Sequence, residues 1–220
     1  MRALLTNISI YYKINFRNVF LFISSYLMPI IFYLMFSIVF VSLSSDNKNT
    51  VIVSMCLFAI TMNSIISLPA SVITYAIGDI NRSYIVGGIS LVHVFIAICI
   101  NNIINCFIIS GIIVVTAPIF FGAVLPTSMF AFVGKLALCI VLSTLIGMFI
   151  GMVCKSESIS IVVSQCIFLP SLFLSGLMMP VSLLPGAMRL VANVFPLTHM
   201  LRFINDNSQN SFIYIISKII

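Results

Sequence analysis

The stretch FLSGLMMPVSLLPGAMRLVANVFPLTHMLRFIND, residues 173–206, starts as the end of an apolar helix and then interrupts itself with Pro180, Pro185 and Pro196. Between and after those prolines it carries Arg189, His199 and Arg202. Proline removes a backbone donor and disfavours helix at the residue before it, so a single continuous span is excluded here. Ser182, Gly186, Arg189 and Asn193 recur at i, i+4, i+7 and i+11, with Leu184, Met188, Val191 and Phe195 opposite them. This is the pattern of a short amphipathic helix, which Pro196 closes. Beyond Pro196, Leu197, Met200, Leu201 and Ile204 share one face, while Thr198, His199, Arg202, Asn205 and Asp206 take the other. The reading is a helical hairpin over 180–206 that enters one leaflet without crossing it. Non-helical backbone at its breaks is tolerated only where protein or water covers it.

On its N-terminal side, the chain divides into apolar stretches of the length a bilayer demands. About 20 apolar residues cross a hydrocarbon core ~30 Å thick, and the runs 19–41, 51–76, 91–117, 129–153 and 159–179 meet that requirement. SLSSDNKNT, GDINRSYIVGGIS, FFGAVLPTS and CKSES punctuate them. A sixth run, SFIYIISKII at 211–220, is half a span as written, since ten helical residues reach only about 15 Å. Ahead of the first span, Arg2, Thr6, Ser9, Lys13 and Arg17 fall on one helical stripe among Leu4, Leu5, Ile8, Tyr11, Tyr12 and Phe16. Residues 1–18 therefore read as an interfacial helix, with its cations toward lipid phosphates and water.

Composition fits this layout and narrows the function classes. The 220 residues are 62% hydrophobic and 6% charged, with a mean hydropathy of +1.28, against roughly 25% charged residues in soluble domains. The expected architecture is an all-α polytopic membrane protein, a single domain over 1–220. Ten Lys and Arg against four Asp and Glu give a formal net charge of +6. No basic cluster accompanies that excess, so it reads as membrane orientation and not as a nucleic-acid surface. Placing the N-terminus in the cytoplasm puts Arg2, Lys13, Arg17, Arg82 and Lys155 inside and Lys48, Arg189 and Arg202 outside. That bias follows the positive-inside rule in the cell membrane. Cys56, Cys99, Cys106, Cys139, Cys154 and Cys166 lie in or beside apolar runs with no C-x-x-C pair. They read as small apolar residues, not as a disulfide or metal framework.

Polar residues inside the spans are the candidate functional positions. NNIINC sets Asn101 and Asn105 on one face with Asn102 beside them, and Ser156, Ser160 and Ser164 recur at i+4 with Gln165 adjacent. Such groups need partners in hydrocarbon. Asn101, Asn105, Ser160, Ser164 and Gln165 are read either as interhelical glue or as a substrate path. Ser143, Gly147 and Gly151 form a ladder of small residues that lets helices approach closely, within the subunit or across a dimer. Lys135, one to two turns inside the fourth span, is expected to snorkel outward. The carboxylates Asp46, Asp79, Glu157 and Asp206 lie at span ends or in loops, which disfavours a proton- or sodium-driven carrier. HExxH and GxSxG are absent, His93 and His199 fall on opposite sides of the membrane, and no span holds two carboxylates. The chain is not expected to be an enzyme.

Pro170, Leu174–Gly176 (LSG), Pro180, Leu184–Pro185, and Pro196–Arg202 (PLTHMLR) together resemble the signature of type-2 ABC transporter permeases. These are membrane subunits of exporters of drugs, antibiotics, peptides and lipid-linked glycans. Weaker agreement extends to Arg17, Pro29, the loop around Asp79 and Arg82, and KSES at 155–158. The resemblance implies a six-span bundle with an N-terminal interfacial helix and an extracellular re-entrant hairpin. Against that pattern, the last span is expected to be truncated. It also implies work with a second permease, as a homo- or heterodimer, and with two copies of an ATPase subunit that bind ATP and Mg. No G-x-x-x-x-G-K-[ST] occurs in this chain, so no cofactor is expected here. Asp79, Arg82 and Tyr84, in the loop between the second and third spans, become the candidate ATPase-docking residues. Pro180, Pro185, Arg189, Pro196, His199 and Arg202 become candidates for an outer gate. The expected function is efflux of an amphiphile, of the kind that confers antibiotic resistance. The other classes left open are a non-pumping binding or immunity protein and an ion-coupled carrier.

Overall fold

A computed structural model describes residues 19–43, 50–77, 91–126, 128–177, 188 and 191–205. The interfacial helix over 1–18, the docking candidates Asp79, Arg82 and Tyr84, the gate candidates Pro180, Pro185 and Arg189, and the partial span 211–220 lie outside these residues. The described residues are helical, with no strand among them. The first helix runs as α1 (Val19–Phe22), a π turn (Ile23–Leu27) and α2 (Met28–Leu43). The second has the same plan, as α3 (Val51–Thr61), a π turn (Met62–Ser67) and α4 (Leu68–Ile77). Then follow α5 (Leu91–Phe121), α6 (Met129–Val153), α7 (Glu157–Leu174) and the short α8 (Pro196–Asn205). Among the described residues, four helices are long and apolar enough to cross a membrane: Val51–Thr74, Val92–Phe121, Met129–Val153 and Glu157–Leu174. Ser25–Val39 is a shorter apolar helix.

Val51–Thr74 is the axis of the bundle. Its apolar window is 94% buried, against 33% for Val92–Phe121 and 28% for Glu157–Leu174, so the others wrap it and turn their outer faces to lipid. Phe58 anchors the packing around it, with ring centroids 5.4 Å from Phe36, 6.1 Å from Phe32 and 5.8 Å from Phe168. The outward faces of α5, α6 and α7 carry Val115, Ile119, Phe130, Phe149 and Val162, all exposed. That is the pattern of helices solvated by acyl chains, not by water.

Small residues set the closest approach. A Cβ on Gly147 would lie 1.8 Å from the Ser64 carbonyl oxygen, and one on Gly151 would lie 2.8 Å from Val72 Cβ. Ser143, Gly147 and Gly151 are buried, and the two glycines press α6 onto the second π turn and α4. The small-residue ladder is thus used within the subunit. Gly122, at φ 60°, ends α5 in an αL turn: its N–H reaches Pro118 O, four residues back (3.1 Å), and that of Ala123 reaches Ala117 O (3.4 Å). Only glycine takes that backbone region without strain.

Candidate functional site

Both π turns end two residues before a proline, Pro29 and Pro69. A proline cannot donate to the carbonyl four residues back, so Pro29 strips Ser25 O of its helical partner. The Met28 N–H bonds to Ile23 O, five residues back, which widens the turn. Asn63, in the second π turn, supplies the missing donor: its Nδ2 lies 3.0 Å from Ser25 O. The two proline-broken helices are therefore joined at their weak points by one side chain.

That contact is part of a larger buried junction. Asn102 Nδ2 donates to Ser64 Oγ and to Thr144 Oγ1, each at 3.0 Å, tying α5 to the second helix and to α6. Thr144 in turn donates to Ile140 O at 2.7 Å. The Tyr26 hydroxyl donates to Asn105 Oδ1, bringing the first π turn onto α5. Hydrogen bonds between membrane helices contribute roughly 0.6 to 2 kcal/mol each; leaving such groups unpaired costs more. Among these residues lies a cavity of about 10 Å³, bordered by Ser25, Asn63, Ser71, Asn101, Asn102 and Asn105, room for about one water molecule. Asn101 is 1% exposed, and its Oδ1 has no hydrogen-bond partner among the described residues.

The path candidates fall into two groups. Asn101 and Asn105 share the cavity wall, whereas Ser160 and Ser164 lie buried on α7, which packs on α4 and the second π turn. Their hydroxyls, and that of Ser171 on the same helix, have no hydrogen-bond partner among the described residues. Gln165 is half-buried beside them. At the start of α7, Ser156 caps the helix by accepting from the Ile159 N–H at 3.3 Å. Glu157 sits in the first turn, where a negative charge suits the dipole, and accepts from Thr74 Oγ1 at 2.5 Å.

Of the gate candidates, Pro196 opens α8 as its first residue, a position where its missing N–H costs nothing. Arg202 is exposed on that helix. Thr198 and His199, set outward by the two-face reading, are instead buried, at 0% and 4% exposure. The reason is that α8 packs against α3, α6 and α7 together, so more than one face is covered. His199 Nε2 lies 2.7 Å from Asn193 O and satisfies the turn before Pro196. Lys135, expected to snorkel outward, meets α8: its Nζ donates to Ile204 O at 3.2 Å and lies 5.7 Å from the Phe203 ring centre.

The arrangement has no general acid–base pair or nucleophile, and no cluster of three metal-ligating side chains occurs among the described residues. What it offers is a neutral, hydrogen-bonding interior at the joints of two broken helices. The sequence reading had Asn101 and Asn105 but missed Asn63, Ser25, Tyr26, Ser64 and Thr144. Pro29 and Pro69 inside apolar runs were the available signal, since each orphans a carbonyl.

Residues 2–207 match the protein family described as ABC-2 type transporter, a match that runs through every described helix. No curated protein and no solved structure matches the chain.

Proposed function

Because this chain belongs to the ABC-2 type transporter family, we propose that it is the membrane permease subunit of an ABC exporter, moving an amphiphilic substrate outward across the cell membrane. The N-terminus is cytoplasmic in this reading. ATP and Mg act on a separate ATPase, two copies of which serve a pair of permeases. Asp79, Arg82 and Tyr84 are the proposed docking residues on the cytoplasmic side. Substrate passes polar groups of the spans and leaves by the hairpin side of the bundle, where Pro196, His199 and Arg202 stand.

The observation that carries the reading beyond family membership is the junction at the two π turns. A continuous helix transmits force as a rod. Here the first helix breaks just after Val19–Phe22 and the second breaks at mid-course, and they are rejoined by side-chain hydrogen bonds, which can open and re-form at a cost of only a few kcal/mol. Closure of an ATPase pair below would tilt one half of each helix against the other. The substrate class follows from the interior: amides and hydroxyls among aliphatic and aromatic walls suit a molecule that is partly polar and partly apolar.

The test is reconstitution. The permease should co-purify with an ATPase carrying a Walker A motif, and in proteoliposomes ATP hydrolysis by that complex should rise with an amphiphilic substrate. A stable, active protein that recruits no nucleotide-binding chain would overturn the proposal in favour of a binding or immunity protein.

A further inference from the structure

The cavity at the joint of the two broken helices is bordered by more than amides and hydroxyls, since Leu68 and Ile98 complete its wall. It lies beside the second π turn, where the helix widens just before Pro69, the kind of break into which a water inserts. The hydrogens of its wall are largely committed to other partners. Both hydrogens of Asn102 Nδ2 go to Ser64 Oγ and Thr144 Oγ1, and Asn63 Nδ2 donates to Ser25 O. The single hydrogen of Ser71 Oγ goes to Ser67 O at 3.2 Å. Lone pairs remain: the buried Oδ1 of Asn101 has no hydrogen-bond partner among the described residues, and Ser71 Oγ and Asn63 Oδ1 add acceptor capacity.

Such a wall suits a small ligand that donates. The volume, about 10 Å³, limits it to a single water-sized body. None of the lining residues is ionisable, so a bare cation would hold an uncompensated charge away from bulk water, at high cost. A water donates two hydrogens and carries no charge. We propose that the cavity binds one ordered water, which donates to Asn101 Oδ1 on α5 and to Ser71 Oγ on α4 and so bridges α5 to the second broken helix. A water-mediated bond is nearly as good as a direct one, and this bridge is not tethered to the chain. It follows Asn101 when α5 shifts against the π turn, and so gives the joint a partner that survives small displacements. The site needs neither an ATPase nor a substrate, so it stands or falls apart from the transport reading.

The experiment is X-ray hydroxyl-radical footprinting of the full chain in nanodiscs, read by mass spectrometry. X-rays split a bound water in place, and the radical oxidises the side chains beside it. Leu68 and Ile98, buried at 3% and 1% exposure, should be oxidised several-fold more than Leu57 and Ile60, which are as deeply buried but lie outside the cavity wall. Asn101→Leu removes the acceptor, and Asn101→Gln carries its amide one methylene further into the water's place. In both variants, oxidation of Leu68 and Ile98 should fall to the level of Leu57 and Ile60. Thermal unfolding of wild type should be the same in sodium chloride and choline chloride at one ionic strength, since the ligand is neutral. Wild-type oxidation of Leu68 and Ile98 no greater than that of Leu57 and Ile60 overturns the proposal, as does labelling that persists in Asn101→Gln. Stabilisation specific to sodium also overturns it, by assigning the site to that ion.

Discussion

Lys135 Nζ donates to the backbone carbonyl of Ile204, 3.2 Å away and in the last turn of α8. The bond fastens a ten-residue helix to a membrane-length one, and it places a cation at the end of α8 where the carbonyls are unpaired. Helices this short are marginal alone, so α8 relies on such contacts. Lys135→Met in neutral detergent should destabilise α8 by about 1 kcal/mol, read as faster amide exchange over 196–205 than in wild type. Lys135→Arg should restore protection. Equal exchange in wild type and Lys135→Met would reduce the bond to an incidental contact.

Gly147 meets the Ser64 carbonyl more closely than any side chain allows. Gly147→Ala should therefore force α6 away from the second π turn, at the upper end of the roughly 1–3 kcal/mol that overpacking costs. It should also loosen the Asn102 bonds to Ser64 and Thr144, which need the same separation. Gly134, with nothing within 4 Å of its Cβ position, supplies the control: Gly134→Ala should be neutral or slightly stabilising. Thermal unfolding of the three proteins in one detergent decides the matter, and matched midpoints would refute the close approach.

Much of the architecture was readable because hydrocarbon imposes length and polarity rules on each helix separately. Asn101 and Asn105 stand out in NNIINC for that reason: an amide in an apolar run must have a purpose. Partners were not readable, because they come from packing. Pro29 announces an orphaned carbonyl at Ser25, but nothing local says that Asn63, 38 residues on, will fill it. Lys135 reads as a snorkelling cation, but nothing local says that its head meets Ile204 O on α8, 69 residues away. Thr198 and His199 misled for a related cause. A two-face pattern assumes one neighbour and one solvent, and α8 has three neighbours.

Asn101 separates structural from transport roles. Its Oδ1 lacks a hydrogen-bond partner among the described residues, so Asn101→Leu breaks no acceptor bond there and should destabilise less than Asn105→Leu does. If the cavity borders the substrate route, the same variant should lower export by about tenfold in proteoliposomes with the ATPase bound normally. Asn105→Leu, which removes the acceptor of the Tyr26 hydroxyl, should cost both stability and export. Full export by Asn101→Leu would confine the cavity to packing.

The joint between the two broken helices can be tested by giving Ser25 O its lost partner back. In Asn63→Leu the carbonyl loses the side-chain donor, and a buried acceptor left unpaired costs about 1–3 kcal/mol. Pro29→Ala restores a backbone N–H at the position that ordinarily bonds to Ser25 O, allowing the π turn to relax toward a regular helix. The two changes should therefore couple: Asn63→Leu should be less damaging by on the order of 1 kcal/mol in the Pro29→Ala background than in wild type. Pro69→Ala, in the other broken helix, should give no such rescue, because its N–H would serve Ile65 O instead. Additive losses in the Asn63→Leu, Pro29→Ala double variant would mean that Asn63 does not stand in for the missing backbone donor. A measured coupling that also slows ATP-driven export would show that the proline break is retained for motion, since the unbroken helix would be the more stable one.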